Sequence, residues 1–342
     1  MAAKRKRRRR PPAGRPTPAP APAATTAAPE GSERRPARTR AVPPRREPRT
    51  PPVEGVTHPP FGVSMARGLW ATATSPPLIV TCFLAVLGMW AAFTAFLQVF
   101  TVSPAAMVWF LALPPIHSFL ELQSLSAVGQ SPILAVLFGG ALVVVQAFLF
   151  GFWIALIEGG LLGRPQTWTE ARAAARAAGR HLQGLIGIEA GFLALVVLIR
   201  VVDVIFVGLG LGLLGAIAAM TAGLYFLIFA PIAIMTDDLP VGIAVRASMR
   251  AARLPGSRHV VLTFGYVIAA LLVQSTSATA RVSPATPSIL TWAYVLLVNF
   301  LNLTVLAAFV YRWMMVRPGI AFDVAAPARR PRRPLFSRRP AG

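Results

Sequence analysis

Ile133-Leu-Ala-Val-Leu-Phe-Gly-Gly-Ala-Leu-Val-Val-Val-Gln-Ala-Phe-Leu-Phe-Gly-Phe-Trp-Ile-Ala-Leu-Ile157 contains no charged residue. A helix rises about 1.5 Å per residue, so about 20 residues cross the roughly 30 Å of bilayer hydrocarbon. This stretch is long enough to do so. Similar runs cover Leu78 to Phe100, Gly184 to Val204, Val207 to Met235, Val260 to Gln274 and Ile289 to Tyr311. They predict an all-α polytopic membrane protein with about six transmembrane helices. Gly184 to Met235 must be two helices, because one would extend about 78 Å. Arg200, Asp203 and Gly208 mark where the turn between them is expected.

Composition agrees. The 342 residues are 55% hydrophobic and 13% charged, against about 25% charged in soluble domains. The net charge of +22 comes from 34 Lys and Arg against 12 Asp and Glu, and most of it sits in the two ends. Residues 1–60 consist largely of Pro, Ala, Arg and Thr, with too few apolar groups to form a core, and are predicted to be a disordered cytoplasmic tail. Residues 319–342 repeat that composition, leaving 61–318 as the membrane domain. A secretory signal would put its apolar core directly after the basic start, so Met1 is read as the start of the mature protein. Cys82 is the single cysteine, which removes disulfide frameworks and thiolate metal sites. No catalytic, metal or cofactor constellation stands out, and no cofactor is expected.

Orientation follows from the basic residues in short connections. Residues 159–183 hold Arg164, Arg172, Arg176 and Arg180, and residues 236–259 hold Arg246, Arg250, Arg253 and Arg258. These loops are expected in the cytoplasm. Residues 101–131 carry no Lys or Arg, and 275–288 carry only Arg281, so they are expected outside. An even number of spans then puts both termini in the cytoplasm, as in a multi-pass protein of the inner membrane.

The two basic loops are alike. Thr167-Trp-Thr-Glu170 has capping-box spacing, and Arg172, Arg176 and Arg180 follow on one face of an Ala-rich helix. Asp237, Asp238 and Pro240 form an acidic, proline-marked start, followed by Arg246, Arg250 and Arg253. Both loops are read as amphipathic cytoplasmic helices placed between spans. Their arginines either anchor the loops by charge alone or contact anionic lipid headgroups or a phosphorylated ligand, at about 1 kcal/mol each.

Phe229-Ala-Pro-Ile-Ala-Ile-Met-Thr-Asp-Asp-Leu-Pro-Val-Gly-Ile-Ala-Val-Arg-Ala-Ser-Met-Arg-Ala-Ala-Arg253 resembles a pattern in the membrane domain that precedes some bacterial glycerophosphodiester phosphodiesterases, and in stand-alone multi-span relatives. In that pattern an apolar helix ends near a Pro, passes an acidic turn and enters an Ala-x-x-x-Ser helix. Ala244, Ser248 and Arg253 fit it. The resemblance implies architecture and not the phosphodiesterase activity, since no catalytic domain follows Tyr311.

Ionisable groups at membrane depth cost roughly 3 kcal/mol each and are the default functional candidates. Glu189 is read either as a hydrogen-bonded structural carboxyl or as a proton- or cation-handling group. Arg200 and Asp203, at i and i+3, are expected to pair with each other. Gly210-Leu-Gly-Leu-Leu-Gly215 spells a dinucleotide fingerprint inside an apolar run, which lacks the strand that motif needs. Gly208 to Gly212 and Gly187 to Gly191 instead suit close helix packing.

In the connection after the first span, Ala105 to Leu113 is apolar but too short to cross, and Pro114-Pro115 interrupts it. A short re-entrant or interfacial element is expected there. His117, Glu121 and Ser124 share one face at i, i+4 and i+7, the spacing of half a metal or substrate site; no second pair is identifiable in the sequence, and the face is expected to turn to water. His58, His181 and His259 lie beside basic flanks and suggest nothing specific. Lys4-Arg-Lys-Arg-Arg-Arg-Arg10 has no interleaved aromatic residue and suits lipid headgroups better than a specific nucleic acid.

The sequence points first to a non-enzymatic scaffold, assembly or lipid-contacting bundle, with the bilayer and a membrane protein as its partners. A small transporter or channel using Glu189 is the alternative, and a membrane-surface lipid enzyme comes third.

Overall fold

The computed structural model describes residues 55–96, 103–118, 132–206, 212–255, 258–279 and 288–320. Side chains are described for these, apart from those at 96, 132–136, 138, 199–206, 212–214, 216 and 275–279. The described residues are all-helical: α1 (Phe61–Ala73), α2 (Pro76–Phe96), α3 (Pro104–Met107) running into a 3₁₀ turn (Val108–Leu111), α4 (Pro132–Leu161), α5 (Trp168–Phe206), α6 (Gly212–Leu227), α7 (Phe229–Asp237), α8 (Val241–Ala252), α9 (Arg258–Thr279) and α10 (Ile289–Val316), with a closing 3₁₀ turn (Arg317–Gly319).

Five runs are long and apolar enough to cross a membrane: Pro76–Ala95, Gly139–Leu161, Trp168–Leu198, Ile217–Asp237 and Ile289–Gly319. The sixth run, in α9, has a shorter apolar part, Arg258–Gln274. Its polar end, Gln274 to Thr279, lowers its mean hydropathy.

The boundaries differ from the sequence expectation in ways that proline explains. No proline lies between Trp168 and Phe206, so the first Arg-Ala loop does not form a separate helix. It joins the following span as one 39-residue helix that passes straight through Arg200 and Asp203. Thr167 Oγ accepts from the Glu170 main-chain N at 3.3 Å and starts that helix. In the second loop, Pro240 and Pro255 bound α8 and keep it separate. The turn into it is closed by Asp238 in the left-handed conformation (φ 54°). Pro231 has no N–H for the Leu227 carbonyl four residues back, and its ring crowds that carbonyl. The helix is interrupted there, at Ile228, between α6 and α7.

Residues 55–60 were read as tail, yet they pack on the bundle. His58 is fully buried, and a Cβ added to Gly319 would stand 2.8 Å from Val56. α1, absent from the sequence reading, lies along α10 and buries Ser64, Gly68, Ala71 and Thr72. A Cβ at Gly68 would come within 2.3 Å of the Thr304 carbonyl oxygen, so only glycine allows this approach. Arg312, the residue after the expected last span, is buried within α10. The rest of the expected tails, residues 1–54 and 321–342, lies outside the described residues.

Candidate functional site

Residues 103–118 enter the bundle. Ser103 Oγ caps α3 by accepting from the Ala105 main-chain N at 3.2 Å, and Pro104 fits the first helical position. Met107 to Leu113 are all buried, as are Ile116, His117 and Ser118. Pro114 cannot continue a helix, so the chain turns through a cis Pro114-Pro115 bond. The main-chain groups bared by that turn need partners, and neighbouring helices supply them. Gln146 of α4 donates through Nε2 to the Phe110 carbonyl at 2.9 Å. The Leu113 N–H donates to Tyr266 Oη of α9 at 3.0 Å, and that hydroxyl donates to Asn302 Oδ1 of α10 at 3.0 Å. Gly223 of α6 leaves room for Pro115, whose Cγ would be 3.4 Å from an added Cβ. Gln146, Glu189, Gly223 and Asn302 all stand near the middle of their helical runs.

His117 Nδ1 lies 2.9 Å from the Ala112 carbonyl oxygen, and its Nε2 lies 2.9 Å from Glu189 Oε2. Both residues are 3% exposed. This corrects the expectation that His117 faces water. The apolar residues that precede it, Met107 to Leu113 and Ile116, are buried with it in the core. A carbonyl oxygen only accepts, so Nδ1 carries a hydrogen. The 2.9 Å contact with Glu189 then holds one proton, written either as imidazolium with carboxylate or as imidazole with carboxylic acid. Both forms are neutral overall. Losing that proton would set two acceptors against each other and leave a buried negative charge, which is costly.

Several polar atoms near this segment have no hydrogen-bond partner among the described residues: Trp109 Nε1, Gln146 Oε1, Asn302 Nδ2, and both Asn299 Nδ2 and Oδ1. Neutral amides raise little alarm in an apolar run, so the sequence reading passed over Gln146, Asn299 and Asn302. Their position in the middle of long apolar helices was the available signal.

Glu121 and Ser124 lie outside the described residues, as do the side chains of Arg200 and Asp203. Arg172, Arg176 and Arg180 are exposed on α5, while Ala171, Ala174 and Ala178 are buried on its other face. Arg246, Arg250 and Arg253 are likewise exposed, and Ala244, Ala247 and Ala251 are buried. Ser248 donates to the Phe226 carbonyl at 2.7 Å, next to the interruption at Ile228.

A second buried polar cluster lies at the arginine-bearing end. His58 Nε2 donates to the Ala251 carbonyl and His259 Nε2 to the Tyr225 carbonyl, each at 2.9 Å. The two rings stack at 4.8 Å with planes 11° apart. Arg312 Nε donates to Ser64 Oγ at 2.9 Å, Nη1 to the Arg258 carbonyl at 2.9 Å and Nη2 to the Pro59 carbonyl at 3.2 Å. Burial pushes His58 down from its ordinary 6.5 to about 4, and the nearby Arg312 guanidinium acts in the same direction.

Among the described residues no group of three or more His, Cys, Asp or Glu is placed to hold a metal ion. Fold and site together define an all-helical protein with five candidate membrane-crossing helices and a buried acid–imidazole pair. No family model, curated protein or solved structure matches the chain.

Proposed function

We propose that this chain is a six-span protein of the cytoplasmic membrane, with both termini in the cytoplasm, that moves a proton or small cation through the His117–Glu189 pair. The sixth span is α9, whose 22 residues give a length of about 33 Å. The placement of Arg172 to Arg180 and Arg246 to Arg253 supports the orientation. Residues 103–118 are read as a re-entrant element, because non-helical backbone at membrane depth is tolerated only inside protein or along a wet cavity.

The observation that carries the transport reading is the 2.9 Å contact between two ionisable side chains buried in the middle of the bundle. The test is ion or proton uptake by proteoliposomes containing the wild type or Glu189→Gln, with thermal stability measured alongside. Gln still donates to a neutral His117 Nε2, so stability should be kept while flux is lost. No flux from either protein under several ion gradients would overturn the reading.

A scaffold or assembly role is the second reading, and one observation favours it. Gln146, Tyr266 and His117 each bond the main chain of residues 110–113. Such contacts fasten a loop whether or not anything moves past it. The exposed arginines on α5 and α8 then serve as contacts to anionic headgroups. The resemblance to phosphodiesterase membrane domains is kept at the level of architecture, with Ala244 and Ser248 as packing residues.

A further inference from the structure

The segment from His58 to Ser75 leaves the arginine-bearing end of the bundle and returns to it. At its start, His58 Nε2 donates to the Ala251 carbonyl near the end of α8, and Arg312 Nη2 donates to the Pro59 carbonyl. At its close, Ser75 Oγ donates to Gln166 Oε1 at 2.8 Å, in the connection that leads into α5 and its arginines. Between these ties α1 has 13 residues, a length of about 20 Å, which falls short of the roughly 30 Å of bilayer hydrocarbon. Gly68 meets α10 between Thr304 and Ala308, in the half of that helix that leads to Arg312. α1 is therefore held against the flank of the bundle near that end and spans nothing.

The polarity of α1 is inside out. Its inner stripe, Ser64, Gly68, Ala71 and Thr72, is small or polar and buried. Its outer stripe, Val63, Ala66, Leu69, Trp70 and Ala73, runs at three- and four-residue spacing along the opposite side and is exposed, with Val63 at 44%, Leu69 at 48% and Trp70 at 49%. A helix on a water-facing surface buries its large apolar side chains and exposes its polar ones. This one does the reverse, which is favourable only where its surroundings are hydrocarbon. α8, at the same end, has the opposite pattern, burying Ala244, Ala247 and Ala251 and exposing Arg246 and Arg250. The apolar surface of α1 also continues that of its neighbours, because exposed Phe61 lines one crevice with Val261 of α9 and Leu301 of α10, both exposed as well. Arg67, the one charge in α1, is exposed at the edge of the outer stripe, and Trp70 is of the residue type that favours the membrane–water interface.

We propose that α1 is an in-plane helix sunk into the leaflet at the arginine-bearing end, with Val63, Leu69 and Trp70 against lipid acyl chains and Arg67 reaching to the headgroups. Acyl chains are the occupant that the geometry selects, since the outer stripe shares one exposed apolar surface with the flanks of α9 and α10. The inference rests on the membrane reading of the bundle and is independent of the His117–Glu189 pair.

The test is spin-label collision in liposomes containing the full-length protein. Val63→Cys, Leu69→Cys and Trp70→Cys, each made singly with Cys82→Ala so that the label has one thiol, are compared with two references. Leu297→Cys on α10, at a position 57% exposed, reports lipid, and Ala173→Cys, at an exposed position between Arg172 and Arg176, reports water. Oxygen partitions into hydrocarbon and a nickel chelate into water, so the ratio of their collision rates at positions 63, 69 and 70 should match that at 297 and exceed that at 173 about tenfold. Two agreeing positions of the three decide the result, so one misfolded variant does not. Ratios on α1 like that at 173, with 297 in lipid, would overturn the inference and leave the membrane reading standing. A ratio at 297 like that at 173 would overturn both. Labels on α1 shielded from oxygen and chelate alike would mean that a second copy of the chain or another protein covers the face, which also overturns the inference.

Discussion

His117 and His58 are both buried imidazoles with one ring nitrogen on a main-chain carbonyl, and they differ in what meets the rest of the ring. At His117 the second nitrogen faces the Glu189 carboxylate. At His58 the second nitrogen, Nδ1, has no partner among the described residues, and the ring stacks on His259 with Arg312 nearby. A carboxylate gives an imidazole proton somewhere to go. A neighbouring ring and a guanidinium leave the neutral form as the only comfortable state. One side-chain type therefore meets a carboxylate in the middle of the bundle and packs as a neutral ring at its arginine-bearing end.

The largest expected effect comes from removing one half of the buried pair. His117→Ala leaves Glu189 in apolar surroundings without its partner and should cost about 3–5 kcal/mol. Thermal unfolding in detergent measures this, and adding Glu189→Gln should recover part of the loss. An unchanged melting temperature for His117→Ala would mean that the carboxyl is already neutral or wet.

This asymmetry was only half legible in the sequence. Glu189 stood out because a charge in an apolar run is conspicuous. His117 was singled out only as part of an outer polar face, because its burial depends on a turn at Pro114-Pro115 that brings together positions 72 residues apart. The arginine-bearing end was missed for another reason. α1 is a 13-residue helix, too short for a span, and its packing depends on Gly68 rather than on a hydrophobic stripe. Arg312 follows the expected last span directly, and its partners are all uncharged oxygens, which leave no mark in a sequence pattern. The long helices were readable from hydropathy, whereas the merging of the first Arg-Ala loop into α5 depended on noticing that no proline separates them.

A smaller effect should follow from untying the loop without touching the pair. Tyr266→Phe leaves the Leu113 N–H buried without an acceptor, at a cost of about 1–3 kcal/mol. Hydrogen exchange at Leu113 should quicken while that of α4 stays slow. Unaltered exchange would show that the hydroxyl is not what fastens the segment.

The effect that is smallest near neutral pH, and grows only on acidification, lies at the arginine-bearing end. His58 is held at about 4 in the folded protein against an ordinary 6.5. Between those values the unfolded chain takes up a proton that the folded chain refuses, so stability falls as pH drops through this window, by at most about 1.4 kcal/mol per pH unit. His58→Phe, which keeps a stacking ring, should make the fall in melting temperature between pH 6.5 and 4 shallower. An equally steep decline in that variant would place the titration elsewhere.

The most direct test of proton sharing in the middle of the bundle is nitrogen NMR of the histidine-labelled protein in bilayers, where the sequence offers only four histidines to resolve. At pH near 7, His58 and His259 should each show a protonated Nε2 and a bare Nδ1. His117 should show a protonated Nδ1 and an Nε2 resonance shifted by its contact with Glu189, and that shift should disappear in Glu189→Gln. A His117 Nε2 signal of ordinary neutral imidazole, indifferent to Glu189→Gln, would contradict the shared proton.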